Sequence, residues 1–512
     1  MRETMTSTAT PIPPTEKTFL GQPRWFGTLF VVDMWERFSF YGMLAILALF
    51  LVASPADGGM GMSEVDAAAL FGMYMSLVFM AALPGGWLAD RVLGARRATL
   101  WGGIFITAGH IFLSVPAEPT LYLGLGCIIV GTGLVKPSMA AMVGDMYQGQ
   151  PERREAAFSL FYMSVQVSAL LAPLITGFAA EKINWHLGFG IAAFGMVVGL
   201  IQYVVGMRGL GDVGSRPSNP APPEVRARVW RRSAIFGGIP ALLAVVGVAS
   251  GVVALQQVLM LLGLMVLGVP IVYWIRLNRR PEIAPYRVRL RAFLWMLIAS
   301  AFFWMLYAQG PALMNIFAKD SVDRDVFGFE VPASWFQSAQ PLFLLMLAPA
   351  FAALWVRLGS RVAVPPKFVA GMLLGGVSFV VMAVAASLAE SGPVSPLWLL
   401  TVYLIVVCGE LVVAPVGLSL AAQVAPPGFS SQMIGLFWLF AAVGAATGGQ
   451  LAGITAVVSD ATFYLVLGGV GLAVAAALAF SVRSLTRRLA DEPVPDQPAT
   501  TPSPAEGVTS VH

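Results

Sequence analysis

The sequence is short of charge, cysteine and histidine, and each shortage excludes a class of protein. Charged residues make up only 11% of the 512 residues and hydrophobic residues 57%, which is far from the composition of a soluble globular domain. The two cysteines, Cys127 and Cys408, lie inside separate apolar runs, so neither a disulfide framework nor a thiolate metal site is supported. His110 and His186 are isolated and His512 is terminal. We therefore expect no metal and no other cofactor.

Motifs of catalysis and nucleotide binding are also missing. The sequence contains no Gly-rich loop that ends in Gly-Lys-Ser or Gly-Lys-Thr, no Gly-x-Ser-x-Gly elbow and no His-Glu-x-x-His pair. These absences disfavour an ATP-driven pump and a membrane-embedded enzyme. A membrane sensor is a further alternative, for which an ordered soluble domain would be expected. Residues 491–512 are instead rich in Pro, Thr and Ser and predict a disordered tail.

Long apolar segments dominate what is present, and the mean hydropathy is +0.78. Residues 1–23 are rich in Thr and Pro and predict a cytosolic tail. After them we predict fourteen apolar segments, each near the ~20 residues that span a bilayer. These segments centre on Phe38, Leu77, Phe105, Ile129, Val167, Gly195, Leu242, Leu264, Phe303, Leu345, Phe379, Val407, Phe440 and Gly471. The pattern predicts an all-α membrane protein that crosses the bilayer many times.

The basic residues predict the orientation of the chain. With the N-terminus in the cytoplasm, only Lys182, Lys319 and Arg324 fall outside, and only Arg37 and Lys136 fall within the membrane. All other Lys and Arg residues then lie on the cytoplasmic side, as the positive-inside rule requires. We therefore expect both termini to be cytoplasmic. Because the basic residues are spread over short loops, they do not predict a nucleic-acid surface.

A change of composition divides the chain near its middle. Residues 209–224 are rich in Pro, Gly and polar residues and predict a linker. The predicted parts are a tail at 1–23, a six-helix bundle at 24–208, a linker with two inserted helices at 209–285, a second six-helix bundle at 286–490 and a tail at 491–512. Two six-helix halves with a site between them are a transporter architecture.

Three charges interrupt the first apolar segment. Asp33, Glu36 and Arg37 share one face of a helix, because positions i, i+3 and i+4 are neighbours on its surface. Each charge at the centre of a spanning helix costs roughly 2.5 to 3.5 kcal/mol. We interpret the stripe as functional, and the alternative is an ion cluster that only directs helix packing.

Two more charges lie at membrane depth. Lys136, in the sequence GLVKP, needs a carboxylate or must lose its proton, and Asp33 and Glu36 are the expected partners. A permanent buried salt bridge is the alternative interpretation. Glu410, in VVCGELVVAPV, stands alone in an apolar run and therefore needs a cationic partner or a proton.

The loop after the second apolar segment reads GWLADRVLGARR. Its pattern, Gly-x-x-x-Asp-Arg-x-x-Gly-x-Arg-Arg, resembles the signature of the major facilitator superfamily. We expect Asp90 to cap or pair near a helix end while the arginines hold the neighbouring helix. The resemblance therefore implies gating and structural roles for Asp90, Arg91, Gly94 and Arg97.

Five longer stretches resemble the proton-dependent oligopeptide transporter family of that superfamily. They are DMWERFSFYGM (33–43), GTGLVKPSMAAMVGDMY (131–147), FSLFYMSVQVSALLAPLITG (158–177), SWFQSAQPLF (334–343) and GELVVAPVGLSLA (409–421). The resemblance runs from the first predicted span to the twelfth. It implies the major facilitator fold, with two six-helix bundles plus two inserted helices, or fourteen transmembrane helices in all.

This resemblance also implies a function and a set of site residues. The expected function is proton-coupled import of di- and tripeptides by alternating access, with a small peptide, protons and the lipid bilayer as partners. Lys136 would exchange between a carboxylate of the first span and that of the peptide, and Glu410 would hold the peptide amino group. Proton coupling is expected at Asp33, Glu36, Arg37, Lys136 and Glu410. Substrate binding is expected at Arg37, Tyr41, Lys136, Tyr162, Gln166, Trp304, Gln340 and Glu410.

Other cargoes are alternatives to a peptide. The same fold could carry a nitrate-like anion, a modified peptide or a drug. We expect a monomer in the cell membrane, specifically a bacterial inner membrane.

The sequence departs from the family pattern at several positions. Asp33 replaces the usual Glu, Phe40 and Phe79 replace tyrosines, and Gln166 and Gln340 replace asparagines. Leu44 and Ala308 replace an Arg and a Glu that are thought to close the outer side in the family. Because both charges are lost together, neither partner is left unpaired. We therefore expect the outer gate to close by apolar packing, and Asp33, Glu36 and Glu410 to carry the proton.

Overall fold

The computed structural model describes residues 18–147, 150–426 and 429–490. Within these ranges the chain forms sixteen α-helices and two short β-hairpins, as expected for an all-α protein. The predicted tails at 1–23 and 491–512 lie outside the described residues, apart from residues 18–23. These six residues contain the first hairpin, in which β1 (Thr18–Phe19) pairs with β2 (Gln22–Pro23).

Six helices form the first bundle. They are α1 (Arg24–Val52), α2 (Glu64–Leu88), α3 (Ala95–Leu113), α4 (Glu118–Met146), α5 (Pro151–Lys182) and α6 (Trp185–Gly206). Helix α1 packs on α5 and α6, and α3 packs on α4. The α3–α4 contact depends on small residues, because a Cβ at Gly102 would lie 2.7 Å from the carbonyl oxygen of Gly131. Glycine thus lets the two backbones approach closely.

The segment between the two bundles contains three helices. Helix α7 (Pro223–Ser233) continues through a π-helical turn into α8 (Ile239–Ala249), and α9 (Leu255–Asn278) follows. Helix α9 packs against α2 and also against a helix of the second bundle, α15 (Ser430–Leu451). The segment therefore touches both bundles from outside.

The second bundle begins at residue 287. In addition to α15, it contains α10 (Arg287–Tyr307), α11 (Leu313–Asp320), α12 (Ala339–Leu358), α13 (Val364–Ala389), α14 (Pro396–Gln423) and α16 (Asp460–Leu489). The β3–β4 hairpin (Asp325–Val326 and Phe329–Glu330) and a 3-10 helix (Ala333–Ser338) precede α12. Helix α13 packs on α14 and α16, and α10 packs on α15.

Twelve of the described helices are long and apolar enough to cross a membrane. The fourteen predicted segment centres all fall within helices. Two of these helices are not among the twelve. Helix α3 has 19 residues and begins with the motif arginines, and the apolar part of α8 spans only Ile239–Val248. The multi-span helical architecture is therefore confirmed, whereas the exact count of fourteen stays a prediction.

The two bundles face each other along a long interface. Helix α2 packs on α15, α1 on α11, and α5 on both α12 and the Ala333–Ser338 helix. We call the end where α1 begins, at Arg24, the near end of the molecule. The end where α1 stops, at Val52, and where α5 stops, at Lys182, is the far end.

Candidate functional site

A cavity of about 490 Å³ lies between the two bundles. All eight residues expected to bind substrate line it: Arg37, Tyr41, Lys136, Tyr162, Gln166, Trp304, Gln340 and Glu410. They come from α1, α4 and α5 of the first bundle and from α10, α12 and α14 of the second. The structure thus brings together residues that are far apart in the sequence.

The first-bundle wall contains the charged stripe of α1. Arg37 lines the cavity, and its guanidinium forms an ion pair with Glu36, which is buried. Apart from this ion pair, the Glu36 carboxylate has no partner among the described residues. Asp33 accepts a hydrogen bond from the Ser164 hydroxyl of α5, at 3.0 Å. Asp33 and Glu36 do not line the cavity, so they stand behind Arg37.

Lys136 does not have the expected carboxylate partner in this conformation. Among the ion pairs of the described residues, the carboxylate of Glu36 contacts Arg37 and no pair includes Lys136. The Lys136 ammonium instead lies 5.3 Å from the ring centroid of Phe40 and 5.5 Å from that of Phe79. The expectation that Asp33 or Glu36 pairs with Lys136 is therefore wrong for this conformation.

Glu410 provides the negative charge of the second-bundle wall. Its carboxylate has the Tyr307 hydroxyl as a hydrogen-bonding partner, and its Oε2 atom is buried with no partner among the described residues. The indole Nε1 of Trp304, which also lines the cavity, is likewise buried without an acceptor. Both groups could therefore serve a ligand.

Sequence reasoning missed part of the cavity wall. Phe40, Tyr307 and Gln337 also line it. The spacing of Tyr307, three residues after Trp304, places both on one helix face and was a usable signal. Five further aromatic residues of the apolar segments were candidates for the wall on sequence grounds. Phe79 and Trp438 line the cavity, whereas Tyr74, Phe161 and Trp335 do not.

A partly buried carboxylate joins the two bundles at the far end. Glu181, at the end of α5, accepts hydrogen bonds from the backbone N–H groups of Ala333 and Ser334, at 2.7 and 2.9 Å, and from the Ser334 hydroxyl at 2.5 Å. The Trp335 indole donates to the Leu174 carbonyl oxygen at 2.9 Å. These bonds join the first bundle to the second.

Three further charged residues surround Glu181. Lys182 contacts Glu330 at 2.9 Å, and Arg324 contacts Glu330 at 2.7 Å and Glu181 at 3.9 Å. The hydrogen bond from Lys182 and the charge of Arg324 hold the pKa of Glu330 below its ordinary value. We call Glu181, Lys182, Arg324 and Glu330 the far-end cluster.

The far-end cluster adds polar contacts to what was expected of the outer gate. If the far end is the outer end, the loss of the family Arg and Glu was expected to leave a purely apolar gate. Leu44 and Ala308, which replace them, line the cavity, and apolar residues such as Phe336 pack nearby. Polar contacts of the far-end cluster also join the bundles, so this end does not close by apolar packing alone, and the expectation for the outer gate stays a prediction.

The near end is more open. Among the described residues, the hydrogen bonds between α5 and the 333–338 segment all lie between Leu170 and Glu181. The side chains of residues 153–156, at the start of α5, are exposed. Tyr162 lines the cavity and is 52% exposed. The described hydrogen bonds that join α5 to the second bundle therefore lie toward the far end, and the cavity wall is exposed at Tyr162.

The motif loop binds the linker. Arg91 donates to the side chain of Asn219 at 2.9 Å, and the Asp90 carboxylate accepts from the Ser218 hydroxyl at 3.3 Å. Gly94 has a positive φ of 79°, and a Cβ there would lie 2.8 Å from the carbonyl oxygen of Gly214. A side chain at Gly94 would therefore be strained and would also push the linker away.

Two arginines of the motif differ in their roles. Arg96 donates to the carbonyl oxygens of Gly211, at 2.8 Å, and of Met207 at the end of α6. Arg97, which was the residue chosen from the sequence, is exposed. The arginine that holds the neighbouring chain is therefore Arg96, and its contacts are mainly with the linker.

A multi-span helical fold with a charged central cavity between two helix bundles is the architecture of a membrane transporter. A family model described as the POT family matches residues 96–467. The chain is 38% identical to the transporter YclF of Bacillus subtilis, over 89% of this chain and 94% of the relative. It is 34% identical to a di-/tripeptide transporter of Lactococcus lactis, over 93% and 98%. The chain therefore belongs to the POT family, and it is a transporter and not an enzyme.

Solved structures agree with this assignment. A crystal structure of a peptide transporter POT in complex with sulfate matches with a TM-score of 0.88 and 38% identity, over 92% of this chain and 97% of that chain. A POT family transporter in complex with 5-aminolevulinic acid matches with a TM-score of 0.88 and 32% identity, over 92% and 98%. The fold described above is therefore that of POT transporters.

Proposed function

We propose that this protein is a proton-coupled symporter that imports di- and tripeptides by alternating access. The observation that carries the proposal is the distribution of charge in the cavity. Arg37 and Lys136 line one wall, and Glu410 lines the other. A zwitterionic peptide presents a carboxylate at one end and an ammonium at the other, so it complements both walls. The names of the curated relatives support this substrate class.

The balance of charges supports coupling to protons. We call Asp33, Glu36, Arg37, Lys136 and Glu410 the cavity cluster. When all five are ionised, three carboxylates face two cations and the cluster is one charge negative. A bound zwitterion does not change that sum, whereas one bound proton neutralises it. Because moving net charge through a low-dielectric core is costly, the loaded and protonated carrier is the form best suited to switch.

The driving force is sufficient without ATP. One proton that moves down 100 mV releases about 2.3 kcal/mol. That free energy corresponds to roughly fifty-fold accumulation of a neutral zwitterion for each proton.

Alternating access in this proposal uses the two ends of the molecule. The far-end cluster is the outer gate, and the near end is the cytoplasmic opening. Both termini then lie in the cytoplasm, in agreement with the distribution of Lys and Arg. The bacterial relatives support the inner membrane as the location. Labelling of single cysteines placed near Arg24 and near Glu330 by a membrane-impermeant maleimide on intact cells tests the orientation, and only the second should react.

The domain boundaries belong to the same proposal. The two six-helix bundles comprise residues 24–208 and 286–490, and residues 209–285 contain the linker and two inserted transmembrane helices. In this arrangement α3 and the α7–α8 helix also cross the membrane, which gives fourteen spans. We propose that the protein acts as a monomer, since the cavity is formed within one chain.

A related substrate is the second candidate. One similar structure contains 5-aminolevulinic acid, which carries the same two terminal charges as a peptide. The missing hydroxyls at Phe40 and Phe79 also make the cavity of this chain less polar than the family pattern. A modified peptide or another small zwitterion therefore remains the alternative cargo.

Uptake by proteoliposomes tests the proposal. Purified protein is reconstituted, an inwardly directed proton gradient is imposed, and uptake of labelled dialanine and trialanine is measured. We expect accumulation above the external concentration, and collapse of the gradient should abolish it. Competition by 5-aminolevulinic acid distinguishes the second candidate. If 5-aminolevulinic acid accumulates and neither peptide does, the peptide assignment fails.

A further inference from the structure

We propose that Phe40 and Phe79 are positioning residues that hold Lys136 free of carboxylate partners, so that its ammonium is available to an anionic group of the ligand. The inference deepens the proposed function and rests on it for the identity of that group, the carboxylate of a peptide. A lysine in the middle of a membrane protein contacts two aromatic rings and no carboxylate among the described residues.

The two rings come from different helices. Phe40 is on α1 and Phe79 on α2, whereas Lys136 is on α4. The ammonium lies 5.3 and 5.5 Å from the two ring centroids, within the range of cation–π attraction. A ring face attracts the charge but accepts no strong hydrogen bond, so the N–H groups of Lys136 keep their donor capacity. The lysine is thus held in place without being neutralised.

Glu36 does not compete for Lys136 in this arrangement. Its carboxylate is engaged by Arg37, its neighbour on α1. The Arg37 guanidinium also lies 5.5 Å from the Phe40 ring centroid, so one ring separates the two cations. An anion bound beside Phe40 could therefore contact both cations without displacing a carboxylate from Lys136.

The position of Phe79 depends on the second bundle. Its ring stacks on Trp438 of α15, with centroids 5.8 Å apart and planes 8° from parallel. One turn away on the same face of α2, the Ser76 hydroxyl donates to the carbonyl oxygen of Ala442 at 2.5 Å. Phe79 therefore lies on the seam between the bundles, and the seam fixes the ring that holds Lys136.

Binding measurements with three ligands test the inference. Binding of dialanine, dialanine amide and sulfate to the purified protein is measured by isothermal titration calorimetry, in the wild type and in Phe79→Leu. Loss of one cation–π contact should weaken binding of dialanine and sulfate by about tenfold. Binding of dialanine amide, which has no carboxylate, should change less than twofold. Phe79→Tyr keeps the ring face that Phe79→Leu removes, and this variant should bind all three ligands within about twofold of the wild type.

A double-mutant cycle separates positioning from general packing. In the Lys136→Met background, Phe79→Leu should add no further loss of dialanine or sulfate affinity, because the cation it positions is gone. Phe351→Leu serves as the matched control, since this ring packs against Trp355 of α12 outside the cavity. Equal losses for dialanine and its amide, or undiminished losses in the Lys136→Met background, would overturn the inference.

The outcomes also separate this inference from the proposed function. Sulfate binding that depends on both Lys136 and Phe79, without dialanine binding, supports the inference and refutes the peptide assignment. Dialanine binding that is unchanged by Phe79→Leu refutes the inference and leaves the peptide assignment intact. If the wild type binds neither ligand, both are refuted.

Discussion

The cavity cluster and the far-end cluster contain nearly the same residue types but differ in how their charges are satisfied. In the far-end cluster every carboxylate oxygen of Glu181 and Glu330 has a partner. In the cavity cluster, Glu36 has only the ion pair with Arg37, and Glu410 Oε2 has no partner among the described residues. Lys136 faces aromatic rings. The carboxylates of the far-end cluster are thus fully paired, although Arg324 Nε has no partner among the described residues, whereas the carboxylates of the cavity cluster are short of partners.

The difference indicates what each cluster does. A set of fully paired carboxylates stabilises one arrangement of the bundles, because breaking a contact leaves a charged group unpaired. An incompletely satisfied set is costly without a ligand or a proton and is stabilised when either binds. We therefore assign closure to the far-end cluster and binding to the cavity cluster. Four substitutions test this contrast.

The largest effect is expected for Glu36→Gln, which removes the ionised partner of Arg37. Gradient-driven accumulation of dialanine in proteoliposomes should fall to background, because the amide cannot take up and release a proton. Counterflow exchange should continue. Glu118→Gln, at an exposed position at the start of α4, is the control and should accumulate normally. Unchanged accumulation in Glu36→Gln would refute a coupling role for this residue.

Glu410→Ala should have the next largest effect. Loss of a charged acceptor costs about 1.5 to 3 kcal/mol, so the KM for dialanine should rise roughly ten- to a hundredfold. N-acetyl-dialanine lacks the ammonium and should lose less than threefold. The exposed Glu390 provides the control variant, Glu390→Ala. Equal losses for both substrates would count against recognition of the amino group by Glu410.

Glu181→Gln should loosen the far end without altering the binding groups. The amide keeps one acceptor oxygen and loses the charge, so contacts to Ala333, Ser334 and Arg324 weaken. The readout is alkylation of Gln337→Cys, a cavity-lining position, by an impermeant maleimide added from the far side after Cys127 and Cys408 are replaced by serine. The labelling rate should rise about tenfold. Labelling that does not change would show that Glu181 is dispensable for closure.

The smallest effect is expected at Glu330, whose side chain is largely exposed. At neutral pH, Glu330→Gln should change the same labelling rate less than twofold, because exposed ion pairs contribute little. The pKa of Glu330 is lowered in the folded protein by Lys182 and Arg324. Its stabilising contribution is therefore present above the ordinary glutamate pKa and is lost as pH falls through the lowered value.

Acidification sharpens this last test. Only the thiolate reacts with maleimide, so each labelling rate is divided by that of an exposed cysteine at the same pH. This ratio should rise in the wild type as the pH falls below the ordinary glutamate range, and the rise should be smaller in Glu330→Gln. An identical acid response in both proteins would assign the response to another group.

Much of the site was predictable because buried charge is conspicuous in an apolar sequence. Arg37, Lys136 and Glu410 interrupt long hydrophobic runs, and all three line the cavity. The pairing of Lys136 was not predictable from the same signal. Opposite charges in neighbouring spans suggested an ion pair, but the rings of Phe40 and Phe79 surround the lysine. Aromatic residues are common in such spans, so these two could not be distinguished from core residues.

The far-end cluster was missed for a different reason. Glu181 and Lys182 stand at the end of an apolar segment, where charged residues ordinarily mark the membrane boundary. Ser334, which donates to Glu181, is 153 residues further along the chain, and nothing local in either stretch indicates the contact. Arg96 was similarly passed over in favour of Arg97, because the two are adjacent and only the fold determines which one faces the linker.

By itself the sequence determined that this is a multi-span helical membrane protein, and it indicated which charges lie in its interior. Both follow from local composition, since a run of apolar residues must hide its backbone in a helix and a charge within that run stands out. Tertiary structure alone decided which groups are partners and which end is closed. Those contacts join helices that are distant in the chain, and their geometry is fixed only when the two bundles pack together.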